Sequence, residues 1–337
     1  MRLRFAEAVQ GCDRRDLLWQ GLAVGLLLLA AWLLAGRVEA ELAARGIRSG
    51  FSFLLQPTGF EIGESLFGFD SGLPYWRAFL VGLANTLRVA LPGLVLATLI
   101  GALIGFGRLS PNVLLRALCA AYVEVFRNIP LLLQLLTWYF LLTEKLPPVA
   151  DALEFLPGFF LSKSGLAFPV PAFGSHGGIF DGALDWPQRG VLNIEGGATV
   201  TPEYLAVLLG LVAYSAAYLA EIVRAGILSV PRGQVEAATA LGLSARQSLR
   251  WVVLPQALRL IVPPAGNQYL NLIKNSSLGV VVGYPELVSI ANTTLNQTGQ
   301  AVECIGILIA VYLVLSLFTA ALLALYNARQ LRKADRS

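Results

Sequence analysis

Asn267, Asn271 and Lys274 interrupt an otherwise apolar stretch at i, i+4 and i+7, a spacing that puts all three on one face of a helix. Two amides and an ammonium on a shared face suit the binding of a carboxylate. An ionisable side chain inside an apolar span is costly and is read first as functional. The alternative is that Lys274 pairs with a neighbouring carboxylate or reaches the membrane interface. Ser276 follows on the same stretch. Tyr218, one helical turn outward of Glu221, is placed to line the same path. Glu221 with Arg224, and Glu124 with Arg127, are spaced i, i+3 at the ends of apolar stretches. They are expected to form ion pairs that hold helix ends together rather than to touch a small molecule. Covalent and metal chemistry have little material. The only histidine, His176, sits in a Gly-rich stretch, and Cys12, Cys119 and Cys304 are isolated from one another. No paired-acid or Ser/His constellation is present, and no Gly-x-x-x-x-Gly-Lys-Ser/Thr loop that would cradle a nucleotide. No catalytic residue, resident metal or cofactor is expected.

The elements that position these residues are membrane spans. Hydrophobic residues make up 56% of the 337-residue chain and charged ones 14%, both far from the averages of soluble proteins. Six apolar stretches are long enough to cross a bilayer, at 17–36, 89–107 (starting nearer 79), 128–143 (reached through 113–127), 204–220, 260–285 and 304–328. The 17–36 run is too long for a signal peptide and is read as an uncleaved helix. Of the 25 Lys and Arg residues, 16 lie in segments 1–16, 108–127, 221–259 and 329–337. Segments 37–75 and 144–203 hold six, against 12 acidic residues. Basic loops stay in the cytoplasm, so both termini and the 221–259 stretch are cytoplasmic, and the acidic segments face out. The net charge of +4 then reflects cytoplasmic anchoring rather than nucleic-acid binding. The external segment 144–203 is rich in Pro, Gly and aromatics and is expected to be a surface loop, with packing on the membrane surface or on a partner as the alternative.

The cytoplasmic stretch has a fold of its own. Residues 233–241 are helix formers, and Gly242 stands where a helix C-cap favours the left-handed conformation. Ser244 with Gln247 three residues on fits a capping box that opens a second helix. Pro255 is expected to end that helix. Ala237, Ala238 and Leu241, with Glu236 beside them, form a small apolar patch that lets another backbone approach closely. A helix lying on the membrane surface is the competing reading, but it would carry bulkier apolar residues and more Lys or Arg. Docking into a groove of a partner fits better.

Glu236-Ala-Ala-Thr-Ala-Leu-Gly242, followed by Val253-Leu-Pro255-Gln-Ala257, resembles the EAA signature of permease subunits in binding-protein-dependent ABC importers. The flanking segments Ala216-Ala-Tyr218-Leu-Ala-Glu221-Ile-Val-Arg224-Ala-Gly226-Ile, Tyr122-Val-Glu124-Val-Phe-Arg127-Asn-Ile-Pro130-Leu-Leu-Leu-Gln134 and Leu272-Ile-Lys274-Asn-Ser276-Ser277-Leu278 resemble the branch for polar or general L-amino acids. Asn275-Ser276 is a small departure, since a lysine followed by Thr-Ser-Leu or Ser-Ser-Leu is usual there. The resemblance covers residues 75–327.

It implies an all-α membrane protein of six transmembrane helices: an extra N-terminal helix and a five-helix type I importer core with a cytoplasmic coupling helix. The expected divisions are 1–75 (tail, first helix and external segment), 76–328 (transmembrane domain with external insertion 144–203 and EAA loop 225–257) and 329–337 (cytoplasmic tail). The resemblance also implies a bacterial inner-membrane location. The implied partners are ABC ATPase subunits that bind the ATP, a second permease (related or identical) and a periplasmic amino-acid-binding protein. Glu236, Ala237, Ala238, Leu241 and Gly242 would couple to the ATPase. An ion-driven secondary transporter and a non-transporting membrane scaffold are the competing readings.

Overall fold

The computed structural model describes residues 50–65, 68–171, 184–190 and 193–334, together with helical positions scattered between 19 and 41. His176, Cys12 and eight of the 20 residues of the expected first span lie outside the described residues.

The molecule is built around two long helices, α1 (Tyr75–Gly107) and α4 (Pro202–Leu228). Lipid tails are as apolar as leucine, so transmembrane helices associate through close packing of small residues rather than through hydrophobic burial. The sequence supplies them. Ala213, Ala216, Ala217 and Ala220 of α4 are buried, and Gly101 and Gly105 of α1 lie against them. A Cβ added at Gly101 would stand 2.7 Å from Leu219 Cβ, and one at Gly105 would stand 2.8 Å from the Ala220 carbonyl oxygen. Two-thirds (67%) of the most apolar stretch of α4 is buried by the rest of the chain, against 33% for α1. Thus α4 is the centre of the bundle.

The third span is broken. Helices α2 (Val113–Asn128) and α3 (Leu131–Phe140, continued by a π-helical turn over Leu141–Lys145) meet at 104°. Pro130 at the junction has no N–H to continue the first helix. The Gln134 side chain donates to the Phe126 and Ile129 carbonyls, both at 2.9 Å, and satisfies the opened corner.

Beyond α4 the chain forms the short helices α5 (Arg232–Ala240) and α6 (Ala245–Ser248), a π-helical turn at Leu249–Val253, and α7 (Leu254–Asn275). A 3-10 stretch (Ser276–Val282) leads to α8 (Leu287–Thr298) and then to α9 (Ala301–Ala334). Among the described residues, three helices are long and apolar enough to cross a membrane, or five if each bent pair counts as one span. Pro255 does not end the helix as expected. It falls in the first turn of α7, where its missing N–H has no intrahelical partner to lose, and the widened turn before it absorbs the irregularity.

The chain is mostly helical, as expected, but the surface loop expected at 144–203 needs correction. That segment folds into short strands. β1 (Leu153–Leu156), β2 (Phe159–Ser162), β3 (Gly165–Phe168) and β8 (Ala198–Val200) form an antiparallel sheet in the order β1-β2-β3-β8. β4 (Val170–Pro171) pairs with β5 (Leu184–Asp185), and β6 (Gln188–Arg189) pairs with β7 (Ile194–Glu195). Strands of two to four residues are too short for a readable alternation of apolar and polar positions.

Candidate functional site

Near its C-terminal end, α4 carries Glu221 and Arg224 on one turn. The Arg224 Nη2 donates to Glu221 Oε1, and its Nε donates to Oε2 at 3.2 Å. Arg108, the C-cap residue of α1, donates from Nη1 to Glu221 Oε2. One carboxylate therefore holds two guanidiniums and ties the ends of α1 and α4 together. The pair of Glu221 with Arg224 forms as the spacing indicates. Arg108, the third member, lies 113 residues away in sequence, and no local spacing could reveal it.

The expected pair of Glu124 with Arg127 does not form. Arg127 stacks over the Tyr218 ring, 5.0 Å from guanidinium carbon to centroid. Glu124 instead accepts from the Asn128 side chain at 3.3 Å. A guanidinium can trade a carboxylate for an aromatic face at modest cost. Tyr218 also accepts from the Tyr214 hydroxyl at 3.3 Å, and Tyr122 donates to the Ala213 carbonyl at 2.9 Å. The half-buried side of α4 therefore presents Tyr214, Tyr218 and Glu221 in succession, with Arg127 of α2 leaning over the middle of the row.

On α7, Asn267, Asn271 and Lys274 share an exposed face. The next helical turn puts Ser276 on the other side. It is fully buried, and its hydroxyl donates to the Ile273 carbonyl at 2.7 Å. Ser276 thus serves the helix end, not the polar face. Gln268, one residue from Asn267, is buried and its Nε2 has no partner.

The helix pair α5 and α6 takes the expected form. Leu243 N donates to the Ala238 carbonyl at 3.1 Å and Gly242 N to the Thr239 carbonyl at 2.9 Å, the two bonds of a Schellman cap. Gly242 has φ +80, and nothing stands within 4 Å of a Cβ built there. The capping box of Ser244 with Gln247 is closed. Glu236 and Ala237 are exposed, and Leu241 is 82% exposed. Ala238 departs from the expected patch. It is buried, facing back into the chain, so of the expected patch Glu236, Ala237 and Leu241 remain exposed.

A second polar cluster stands at the N-terminal end of α4, where the sequence alone indicates only acidic segments. Glu64 is nearly buried. It accepts from Arg88 Nη1 of α1 at 2.8 Å and from the Thr201 hydroxyl at the start of α4 at 2.6 Å. Burial pushes its carboxyl above the ordinary carboxylate range, against the opposing pull of Thr201 and Arg88. Arg88 also lies over the Tyr204 ring at 5.0 Å. Asn85 donates to the Glu64 carbonyl at 2.8 Å and to the Pro285 carbonyl at 2.9 Å. The segment before α1 is thereby fastened to α1 and to the start of α4, and Asn85 joins α1 to the residue before the N-cap of α8. Beside it lies an open cavity of about 450 Å³ walled by Glu61, Glu64, Glu203, Ser289 and Thr293 among others.

Comparisons with known proteins identify the family. A family model described as "Binding-protein-dependent transport system inner membrane component" matches residues 93–333. The General L-amino acid transport system permease protein AapQ of Rhizobium johnstonii is 39% identical over 378 residues, which cover 96% of this chain and 94% of that protein. The Putative amino-acid ABC transporter permease protein YhdX of Escherichia coli is 40% identical, covering 94% of each chain. The Glutamate/aspartate import permease protein GltJ of Escherichia coli is 31% identical over 75% of this chain and 86% of its own. Among solved structures, a chain of the "Crystal structure of an amino acid ABC transporter with histidines" superposes with a TM-score of 0.54 at 27% identity. It covers 76% of this chain and 95% of that one.

Proposed function

Because the chain belongs to the family of binding-protein-dependent transport system inner membrane components, we propose that it is the permease of an amino-acid importer driven by a separate ATPase. The observation that carries the reading is α5, a helix closed at its C-terminal end by Gly242 whose Glu236, Ala237 and Leu241 are left uncovered. Such a surface is free to seat in a groove of an ATPase. ATP-driven closure of two ATPase copies would pull two docked α5 helices, one from this chain and one from a second permease, and rock the bundles between inward and outward states. A binding protein would deliver the amino acid to the external face. Differential docking in the two states is what couples ATP to transport.

The transporter domain is assigned to 76–328, with insertion 144–203 and coupling loop 225–257, and both termini lie in the cytoplasm. Asn267, Asn271 and Lys274 are assigned to the path, where the ammonium meets the substrate carboxylate, together with Tyr218. The cluster of Glu221, Arg224 and Arg108 is assigned to closing the inner end. The names of the relatives, which include general L-amino acid and glutamate/aspartate permeases, support an amino acid as cargo.

Vesicles containing the permeases, the ATPase and the binding protein should take up amino acid only when ATP is enclosed on the ATPase side. Uptake driven by an ion gradient without ATP would favour a secondary transporter. Absence of uptake under every driving force would favour a scaffold.

A further inference from the structure

The external sheet carries a row of apolar side chains that begins inside the bundle and runs out of it. Directly paired residues on antiparallel strands share a face, and the pairing is Leu153 with Leu161, Leu161 with Leu166, and Leu166 with Val200. Val200 is 8% exposed in the main core and Leu166 packs against the same core. Leu153, at the far edge, is 52% exposed. Leu156, paired with Phe159 on the same face, is 55% exposed, and Phe155 at the bulge between them is 56% exposed. Trp186 caps the β1–β2 turn, close enough that a Cβ at Gly158 would stand 2.5 Å from its ring, and it is itself 46% exposed.

The opposite face is already covered. There Phe160 and Ala167 are buried with Ala152 against Ile194, and Arg189 lies over the Phe160 ring. The uncovered apolar surface is therefore on the side that β3 turns toward the external end of α4.

The level of the sheet is set by the span it leaves. Lys163, in the β2–β3 turn, donates its backbone N–H to the Pro147 carbonyl at 2.9 Å. Pro147 is two residues past Lys145, the last residue of the broken third span. The apolar face is thus pinned at the point where the chain leaves the bilayer. Phe140 and Leu141, at the outer part of that span, are also exposed, so bulky apolar side chains are bare both on the end of the span and on the sheet that follows it. A protein partner fits less well. Four half-exposed side chains amount to roughly 400 Å², about half of what one side of a stable protein interface buries. Aromatic and bulky aliphatic side chains at the boundary are what the interfacial region of a membrane takes up.

From this we propose that the sheet is a membrane-resting outrigger. Its β1–β2 edge, with Leu153, Phe155, Leu156 and Trp186, settles into the headgroup and acyl boundary of the outer leaflet beside the third span.

The test uses the full-length chain in its complex, reconstituted in vesicles of phosphatidylethanolamine and phosphatidylglycerol. Cys12, Cys119 and Cys304 are replaced by alanine, and single spin labels are placed through Phe155→Cys, Leu156→Cys and Glu154→Cys. The labels at 155 and 156 should collide more with dissolved oxygen than with a water-soluble nickel complex, and the label at 154 should show the reverse ratio. As a check that needs no cysteine-free background, brominated lipids should quench the tryptophan emission of the native complex, and Trp186→Phe should remove the most strongly quenched component. The proposal is overturned if all three labels favour the nickel complex and the Trp186 component is unquenched. It is equally overturned if the labels at 155 and 156 are shielded from both reagents by the second permease, or become shielded only when binding protein is added.

Discussion

Replacing Glu221 with glutamine removes the one negative charge shared by Arg108 and Arg224. The carboxylate accepts three hydrogen bonds from the two guanidiniums. Hydrogen bonds to charged groups contribute about 1.5–3 kcal/mol each when fully desolvated. Here the side chains are 15%, 27% and 30% exposed, so water replaces part of what is lost and the expected cost falls to about 1–2 kcal/mol in total. That corresponds to roughly a five- to thirty-fold change in an equilibrium. Thermal unfolding of the purified complex should show the loss. A double-mutant cycle with Arg108→Gln should show non-additivity, because the second substitution removes a charge already stranded by the first; the coupling should be about 1 kcal/mol. If the cluster also closes the inner end, Glu221→Gln should raise ATP hydrolysis in the absence of amino acid. Strict additivity of the two substitutions would refute the reasoning, because it would mean that Arg108 and Glu221 do not act on each other.

Gly101→Ala should destabilise the bundle by about 1–2 kcal/mol, since its new methyl group would press on Leu219 and the Ala216 carbonyl; thermal unfolding compared with the unhindered Gly306→Ala reads it. Glu64→Gln should remove a pH dependence. The raised carboxyl binds its proton more tightly in the folded state, so wild-type stability is full below the ordinary value of 4.5 and falls as pH rises through the higher folded value. The glutamine variant should stay level across that window, as a thermal-unfolding series in pH would show. Alanine at Asn267, Asn271 and Lys274 together should lower amino-acid uptake at least tenfold while leaving folding and ATPase docking intact, because all three side chains are exposed; a scaffold would show no uptake phenotype to lose.

What was legible in the sequence was local. The Schellman glycine at Gly242 and the capping box of Ser244 with Gln247 depend on residues within a few positions of one another, and both form as read. The second, fourth and sixth spans were legible because apolar length is a property of a continuous segment. What escaped was non-local or shorter than a period. Arg108 reaches Glu221 across 113 residues, and Glu64 reaches Thr201 across 137. Ala238 was placed on the docking patch because the face of a nine-residue helix is set by how it packs back on the chain. Pro255 was misplaced because a widened turn can carry a helix through a proline. The sheet within 144–203 was missed because its strands are held by pairing and turns rather than by a hydrophobic period of their own. The polar face of α7 was legible from the i, i+4, i+7 spacing, and only Ser276, beyond the regular helix, fell on another side.

The central claim is that α5 transmits the ATPase stroke, and Gly242→Asp tests it most directly. Nothing crowds a side chain at that position, but its φ of +80 strains any residue with a Cβ and places a carboxylate beside Leu241 on the docking surface. Measured in vesicles with the ATPase and binding protein present, the variant should insert normally and lose both ATP-driven uptake and stimulation of ATP hydrolysis. Uptake at the wild-type rate in correctly inserted variant would contradict the account.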